Sequence, residues 1–328
     1  MTIFNVSKQT AGVLYALVTV AIWVSFIIVA RVMAHKTLTP FDIGFVRFIA
    51  AAMILVPWGF WWVRNERAKN PNSPSWLGLS PLSFKLSALI GMIAGIGYSC
   101  FAYSGFFFAP ASHASVLMPG MLPLWTAMLA FFILKTPITP RRAIGLALIA
   151  CAAVLVGGAS VWRSLGGGDV WKGDVLFLCA SFCWGSYTVI ARKNALAAIP
   201  ATIAVSVFAV LTYVPIYAVL AFMQFVPSQL SAAPWSEIVL QGFLQGVLSV
   251  VISGITFVKM VEIFGPVRST MITSVVPPMS AMGAVMLLGE PLGWNLVVGL
   301  ALTTIGIVFG VKSATPAPIN LAVQPARL

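Results

Sequence analysis

The sequence predicts an all-α integral membrane protein with ten transmembrane helices, arranged as two inverted five-helix repeats. Three observations support this fold class: the apolar composition, the number of long apolar runs and an internal repeat. Of the 328 residues, 60% are hydrophobic and 8% are charged, and the mean hydropathy is +1.01. A soluble domain has roughly a quarter of its residues charged. Because this chain has too little polar surface to cover a water-soluble protein, we expect most of it to lie in lipid.

Ten apolar runs are long enough to cross a membrane, which takes about 20 apolar residues in a helix. They lie at approximately 11–33, 43–63, 86–108, 113–134, 142–161, 174–191, 201–223, 238–258, 267–288 and 294–311. The first run has no signal-peptide cleavage site and is expected to remain as a signal anchor. Residues 313–328 contain three prolines and are expected to form a disordered cytoplasmic tail.

The basic residues predict the orientation, because Lys and Arg are retained on the cytoplasmic side during insertion. With the N-terminus inside, the outer loops hold only Arg31, Lys36, Arg163 and Lys172. Arg47 lies within the second run, so 14 of the 19 basic residues fall on the inner side. We therefore expect both termini in the cytoplasm. The net charge of +12 is divided among short clusters, a pattern that indicates topology and no nucleic-acid partner.

The second half of the chain repeats the first. A shift of 161 residues superposes Trp23 on Trp184, and the tetrapeptide Gly-Leu-Ala-Leu recurs at 145–148 and 299–302. Small residues four apart allow close helix packing in lipid. The repeat-related pairs are Gly12 and Gly173, Trp23 and Trp184, Ser25 and Ser186, Gly91 and Gly242, and Gly95 and Gly246.

Each half contains five predicted spans, an odd number, so the second half enters the membrane from the opposite side. We expect the first five-helix unit at 1–165 and the second at 166–312. Inverted repeats of this kind are typical of secondary transporters, which open a central site to one side and then to the other. The alternative is a duplicated membrane receptor or scaffold that transports nothing.

Several short motifs carry a family resemblance. The second half contains Phe264-Gly265-Pro266-Val267-Arg268, Pro277-Pro278, Leu288-Gly289-Glu290-Pro291-Leu292, Gly299 and Gly306, and the first half contains Trp23, Pro40, Arg47, Ala111-Ser112 and Pro123. In these motifs the chain resembles the drug/metabolite transporter (DMT) superfamily, and within it the ten-span exporters with a duplicated EamA domain. The resemblance implies export of a small organic metabolite across the bacterial inner membrane. Where that family has Gly-Glu, the first half has Leu134-Lys135.

Prolines interrupt the fourth and ninth runs at corresponding places, and paired interruptions predict a midplane binding site. Aromatic and hydroxyl side chains nearby predict a cavity for an amphipathic or aromatic solute. Alternatively, the Trp and Tyr side chains anchor helices at the interface and the Ser side chains bond to their own helices. The candidate cavity residues are Trp23, Ser25, Arg47, Tyr98, Ala102, His113, Pro123, Trp184, Ser186, Tyr187, Ser249, Ser253, Pro277 and Pro278.

Charged and titratable groups at membrane depth are functional candidates, because they are costly there unless paired or facing water. Arg47 is interpreted as a group that neutralises a substrate carboxylate, pairs with Asp42 or extends to the outer interface. His113 is a candidate for proton exchange or for bonding a loop carbonyl. Four further charges are expected to have gate or structural roles, with the last at a helix junction: Lys259, Glu262, Arg268 and Glu290.

The sequence contains no phosphate-cradling Gly-rich loop, no metalloprotease motif and no nucleophile elbow. We therefore expect no cofactor, no bound metal, no ATP and no enzyme activity. The expected partners are a small-molecule substrate and the lipid bilayer, with protons as a candidate coupling ion. The predicted function is alternating-access export of an amino acid or an aromatic amphipathic compound. An uptake permease of the same fold and a non-transporting receptor or scaffold are the alternatives, and facilitated exchange is the alternative to proton coupling.

Overall fold

A computed structural model describes residues 7–164 and 168–312, with the backbone alone at 163–164, 261–262, 265–268, 270–271 and 310–312. The predicted tail at 313–328 lies outside the described residues. Within the described ranges the regular elements are helical. The helices are α1 Lys8–Met33, α2 Pro40–Lys69, α3 Phe84–Ile90, α4 Tyr98–Phe108, α5 Ala111–Leu117, α6 Leu122–Leu134, α7 Pro140–Ser164, α8 Val170–Lys193, α9 Ala198–Phe222, α10 Trp235–Gln241, α11 Ser253–Thr273, α12 Val276–Leu288 and α13 Trp294–Lys312.

The predicted fold class is confirmed. Eight helical stretches are long and apolar enough to cross a membrane, and α12 and residues 294–309 of α13 are shorter apolar helices. Two π-helical segments, Gly91–Gly97 and Gly242–Ile252, join α3 to α4 and α10 to α11. They occupy the same place in the third and eighth spans, and π-helical turns occur frequently at functional sites.

The boundary predicted between the eighth and ninth spans differs from the one in the structure. The sequence placed a turn between the eighth and ninth spans, but α11 continues through residues 259–266 and ends at Thr273. Lys259, Glu262 and Arg268 were expected at that turn, and the helix instead continues through Gly265 and Pro266. A helix within a membrane accepts such residues where its neighbours supply hydrogen-bond partners.

The predicted interruptions of the fourth and ninth spans are present. α5 ends at Leu117 and α6 begins at Leu122, and α11 ends before α12 begins at Val276. Both second segments end in a left-handed residue, Lys135 with φ 54° and Gly289 with φ 65°. Lys135 therefore takes the position of Gly289, whereas the sequence comparison had set Leu134 there. Glycine adopts this conformation without the steric cost that a Cβ imposes.

The two halves are interleaved in a symmetric way. The third span of the first half, through Gly91–Gly97 and α4, packs against α9 and α8 of the second half. The eighth span, through Gly242–Ile252 and α11, packs against α2 and α1 in return. The outer pair α7 and α13 forms another extensive contact. The third span of each repeat therefore completes the other repeat, as expected for two inverted units that move relative to each other.

One end of the bundle, which we call the carboxylate end, contains four carboxylates with little exposed surface. They are Asp42, Asp174, Glu237 and Glu290. Each one joins chain segments that are distant in sequence. Glu237, at the start of α10, accepts a hydrogen bond from the backbone N–H of Leu38 at 3.0 Å. Charge-assisted bonds of this kind are stronger than neutral ones, so they hold the connecting loops together.

Asp42 is the most heavily bonded of the four. It forms a capping box with Thr39 at the start of α2, which satisfies backbone donors that a helix N-terminus leaves free. Its Oδ1 atom accepts hydrogen bonds from the Tyr217 hydroxyl at 2.6 Å and the Ser228 hydroxyl at 2.8 Å. The backbone N–H of Gln229 donates to Oδ2 at 2.9 Å. Both oxygens of Asp42 are therefore occupied.

Candidate functional site

A connected series of aromatic rings crosses between the repeats. Phe26 of α1 lies 6.5 Å from Tyr98 of α4, measured between ring centroids. Tyr98 lies 5.2 Å from Trp184 of α8, and Trp184 lies 5.4 Å from Tyr187. These distances fall in the range of favourable aromatic pairing. We call Phe26, Tyr98, Trp184 and Tyr187 the aromatic series, and it brings together three of the predicted cavity residues.

Trp23, the repeat-related counterpart of Trp184, occupies the equivalent position against α11. Its ring stacks on Phe257 at 5.3 Å, and its indole N–H donates to the Ser253 hydroxyl at 3.3 Å. Ser253 in turn donates to the backbone carbonyl of Ser249 at 2.6 Å. Each repeat thus contributes one tryptophan to the contact between its first helix and the third span of the other repeat.

Arg47 of α2 is buried beside the aromatic series, with 6% of its surface exposed. Its Nη1 atom donates to the Tyr103 hydroxyl at 2.7 Å, and that hydroxyl donates to Oε1 of Gln245 at 3.2 Å. The guanidinium carbon lies 6.0 Å from the centre of the Phe26 ring and 5.8 Å from that of Tyr103. Cation–π contacts of this length stabilise a desolvated guanidinium by about 2 kcal/mol.

The structure bears on two of the three interpretations of Arg47, pairing with Asp42 and extension to the interface. Asp42 is not its partner, because both carboxylate oxygens are engaged by other groups. Arg47 also does not extend to the outer interface, since its side chain is buried. Among the described residues it makes no ion pair within 4.0 Å. A role for Arg47 in binding a substrate carboxylate stays a prediction.

Arg47 and two glutamines of the eighth span have buried polar atoms without hydrogen-bond partners. Nε of Arg47 and Nε2 of Gln245 have no hydrogen-bond partner among the described residues, and neither amide atom of Gln241 has one. Both glutamines are fully buried. An unsatisfied buried donor or acceptor costs about 1–3 kcal/mol, so these atoms are candidates for contact with a bound molecule.

His113 lies apart from the aromatic series, at the carboxylate end. Its Nδ1 atom lies 2.9 Å from Oδ1 of Asp174 in α8. The Ser160 hydroxyl of α7 donates to the other oxygen of Asp174. All three side chains are buried. The partner of His113 is therefore a carboxylate and not a loop carbonyl, and the three groups form a short polar chain across three helices.

The other candidates are dispersed. Ser25 is exposed, Ala102 is buried in the apolar core, and Ser186 is half-buried. Pro123 and Pro277 lie in the first turns of α6 and α12, followed by Pro278.

The four charges with predicted gate or structural roles lie near α11 and α12. Lys259 lies half-buried in α11. The side chains of Glu262 and Arg268 lie outside the described residues, and Glu290 lies between α12 and α13. In the part of the chain that the structure describes, no group of three His, Cys, Asp or Glu side chains is placed to hold a metal ion.

Sequence reasoning missed Phe26, Tyr103, Gln241, Gln245 and Asp174. The glutamines carried a usable signal, because two neutral polar residues four apart in an apolar run occupy one helix face. Asp174 also begins an apolar run. Phe26 and Tyr103 carried none, since aromatic residues are common throughout this chain.

Ten spans in two interleaved inverted repeats, each with an interrupted fourth helix, define a multi-pass membrane transporter. Residues 10–158 and 171–311 match the EamA-like transporter family. The chain belongs to this family. Membership implies a small-molecule substrate and a membrane environment.

Individual relatives agree with this assignment. An uncharacterized transporter from Archaeoglobus fulgidus is 29% identical over 178 residues, which are 53% of this chain and 55% of that protein. An uncharacterized transporter from Clostridium kluyveri is 23% identical over 315 residues, which are 92% of this chain and 93% of that protein. One crystal structure aligns with a TM-score of 0.60 and 18% identity, covering 95% of this chain and 100% of its own. At that identity it supports the fold alone.

Proposed function

We propose that this protein exports a small organic metabolite from the bacterial cytoplasm across the inner membrane, either an amino acid or an aromatic amphipathic compound. The carrying observation is the aromatic series, which joins α1, α4 and α8 across the two repeats beside a buried guanidinium. A ligand pocket of this kind is mostly apolar with a few polar groups that set orientation. A solute held between the repeats would be released when the repeats change their relative position.

The two ends of the bundle differ in a way that supports alternating access. At the carboxylate end the loops are tightly packed, and Leu38, Ala109 and Ala111 are fully buried. The opposite end carries the basic clusters and is proposed to face the cytoplasm together with both termini. Export then requires the contacts at the carboxylate end to separate. The residues of these basic clusters are Arg64, Arg67, Lys69, Lys135, Arg141, Arg142, Arg192 and Lys193.

The direct test is efflux from proteoliposomes that contain the full chain and are preloaded with labelled amino acids. We expect faster efflux of phenylalanine and tryptophan than of alanine and threonine. Flux in the inward direction alone would favour an uptake permease. Binding without any flux above empty liposomes would contradict transport and favour the receptor or scaffold alternative.

Replacing Trp184 by Ala is expected to slow phenylalanine efflux by about three- to tenfold, because an aromatic contact contributes about 0.5–1.5 kcal/mol. Alanine efflux should change less. The matched control is Trp162→Ala, because Trp162 is 76% exposed. Equal loss of phenylalanine and alanine efflux in Trp184→Ala would remove the aromatic series from substrate recognition.

A proton role is proposed for the chain of His113, Asp174 and Ser160, in preference to facilitated exchange. Charged groups on the neighbouring elements are Glu290, which accepts hydrogen bonds from the N-terminus of α5, Arg31, which pairs with Glu290, and Lys172, which pairs with Asp169 at the start of α8. Replacing His113 by Gln is expected to abolish the component of efflux that a pH gradient drives and to spare exchange at equal pH. Unchanged pH-driven efflux in this variant would leave facilitated exchange as the mechanism.

A further inference from the structure

We propose that Arg47, Gln241 and Gln245 form a subsite that binds the carboxylate group of the transported solute. This inference deepens the proposed function and rests on it. It names the charge that the solute must carry and the end of the solute that lies nearest α2.

The first step is the uncompensated charge. A guanidinium is permanently charged, and an isolated buried cation is strongly unfavourable unless an anion or several hydrogen bonds compensate it. Among the described residues, the Arg47 side chain donates a hydrogen bond to Tyr103 and makes two aromatic contacts. The nearest carboxylate in sequence, that of Asp42, is fully occupied. Because no described carboxylate forms an ion pair with Arg47, a bound solute is the proposed source of the compensating anion.

The second step is the set of donors. Tyr103 uses its hydroxyl to join Arg47 to Oε1 of Gln245, which leaves Nε2 of Gln245 and Nε of Arg47 as free donors. Gln241, the last residue of α10, lies four residues before Gln245 of the adjoining π-helical segment, and its amide has no hydrogen-bond partner among the described residues. Residues four apart lie on one face. The subsite therefore offers N–H donors from a guanidinium and two amides, which are the groups that a carboxylate accepts.

The third step is the choice of anion. A single guanidinium with neutral amides balances one negative charge, which a carboxylate carries. A phosphate monoester carries a charge of about −1.5 to −2 at neutral pH and would be left partly uncompensated here. The guanidinium lies against the Phe26 ring, and Phe26 lies beside Tyr98. A solute with its carboxylate on Arg47 would therefore place its apolar part along the aromatic series.

The test compares two solutes that differ only in this group, phenylalanine and phenylalaninamide, in which a neutral amide replaces the carboxylate. The wild-type protein is expected to export phenylalanine at least about tenfold faster, a ratio that corresponds to about 1.4 kcal/mol. Arg47→Gln should reduce that ratio to near one by slowing phenylalanine efflux. Gln241→Leu, which keeps the guanidinium, should reduce the ratio in part.

The matched control is Arg64→Gln, the same substitution at an exposed position of the same helix, and it should keep the wild-type ratio. Equal export of the two solutes by the wild type would overturn the inference while leaving transport intact, as would an equal loss for both solutes in Arg47→Gln.

A wild type that exports neither solute would contradict the proposed amino-acid function. The subsite is then decided by binding to the purified full chain. Thermal stabilisation by phenylalanine that exceeds that by phenylalaninamide, and that Arg47→Gln removes, would support the subsite. Absence of that difference would overturn it.

Discussion

Replacing Glu290 by Ala is expected to lower the free energy of unfolding by about 3 kcal/mol, because it leaves a partly buried cation without its partner. Oε1 of Glu290 lies 3.4 Å from Nε of Arg31, and the side chains are 9% and 19% exposed. The same carboxylate accepts backbone hydrogen bonds from Ala111 at 2.8 Å and Ser112 at 2.9 Å. This single substitution therefore removes an ion pair. It also leaves two backbone N–H groups at the start of α5 without their acceptor.

The effect extends across several helices. Arg31 also donates from Nη1 to the backbone carbonyl of Phe106 at 2.6 Å, so the pair joins α1, the end of α4, the start of α5 and the end of α12. Its loss should weaken the closure of the carboxylate end.

Thermal or denaturant unfolding of the purified protein in detergent measures this effect. Glu66→Ala is the control, because the Glu66–Lys69 pair is 3.5 Å long with side chains 44% and 66% exposed. An exposed pair of this kind contributes about 0–1 kcal/mol. If the two variants lost the same stability, the pair of Arg31 and Glu290 would have no special role.

Replacing Gly246 by Val is expected to destabilise the protein by about 3 kcal/mol through overpacking. A Cβ atom at this position would lie 2.7 Å from Cβ of Ala50 and 2.8 Å from the backbone oxygen of Arg47. The contacts are with backbone and with a methyl group, which cannot rotate away. The segment Gly242–Ile252 and α2 would have to separate, and Gln245 would move relative to Arg47.

Two measurements check this prediction: the free energy of unfolding and the export ratio of phenylalanine to phenylalaninamide. Both should fall. Gly157→Val is the control, because a Cβ atom on Gly157 would meet nothing within 4 Å. Similar stability for both valine variants would mean that α2 does not approach this segment closely.

Most of the architecture could be predicted from the sequence. A membrane helix must be about 20 residues long and must satisfy its own backbone hydrogen bonds, so apolar runs reveal the spans directly. The prolines near residues 119 and 277 revealed the interrupted helices for the same reason. The prediction was wrong at the turn after the eighth span, where Gly265 and Pro266 lie within α11.

The contents of the site were harder to predict. A span that is apolar all round has no polar face to reveal which side meets the protein, so the sequence predicted Ser25, which is exposed, as a cavity residue and missed Phe26. Only Phe26 lies against Arg47. The sequence did identify Arg47 as a candidate, but it left three interpretations open: a substrate carboxylate, Asp42 or extension to the outer interface.

The sequence by itself determined that this chain crosses a membrane about ten times in two inverted repeats, because lipid imposes length and hydrogen-bonding requirements on every span separately. Tertiary structure alone decided that Asp42 is occupied by Tyr217, Ser228 and Gln229, so that it is not the partner of Arg47. These partners lie more than 170 residues apart in sequence, and only the packing of the two repeats brings them together. Whether a charge is compensated depends on which groups lie beside it in space. The pattern of apolar residues along the chain does not specify those groups.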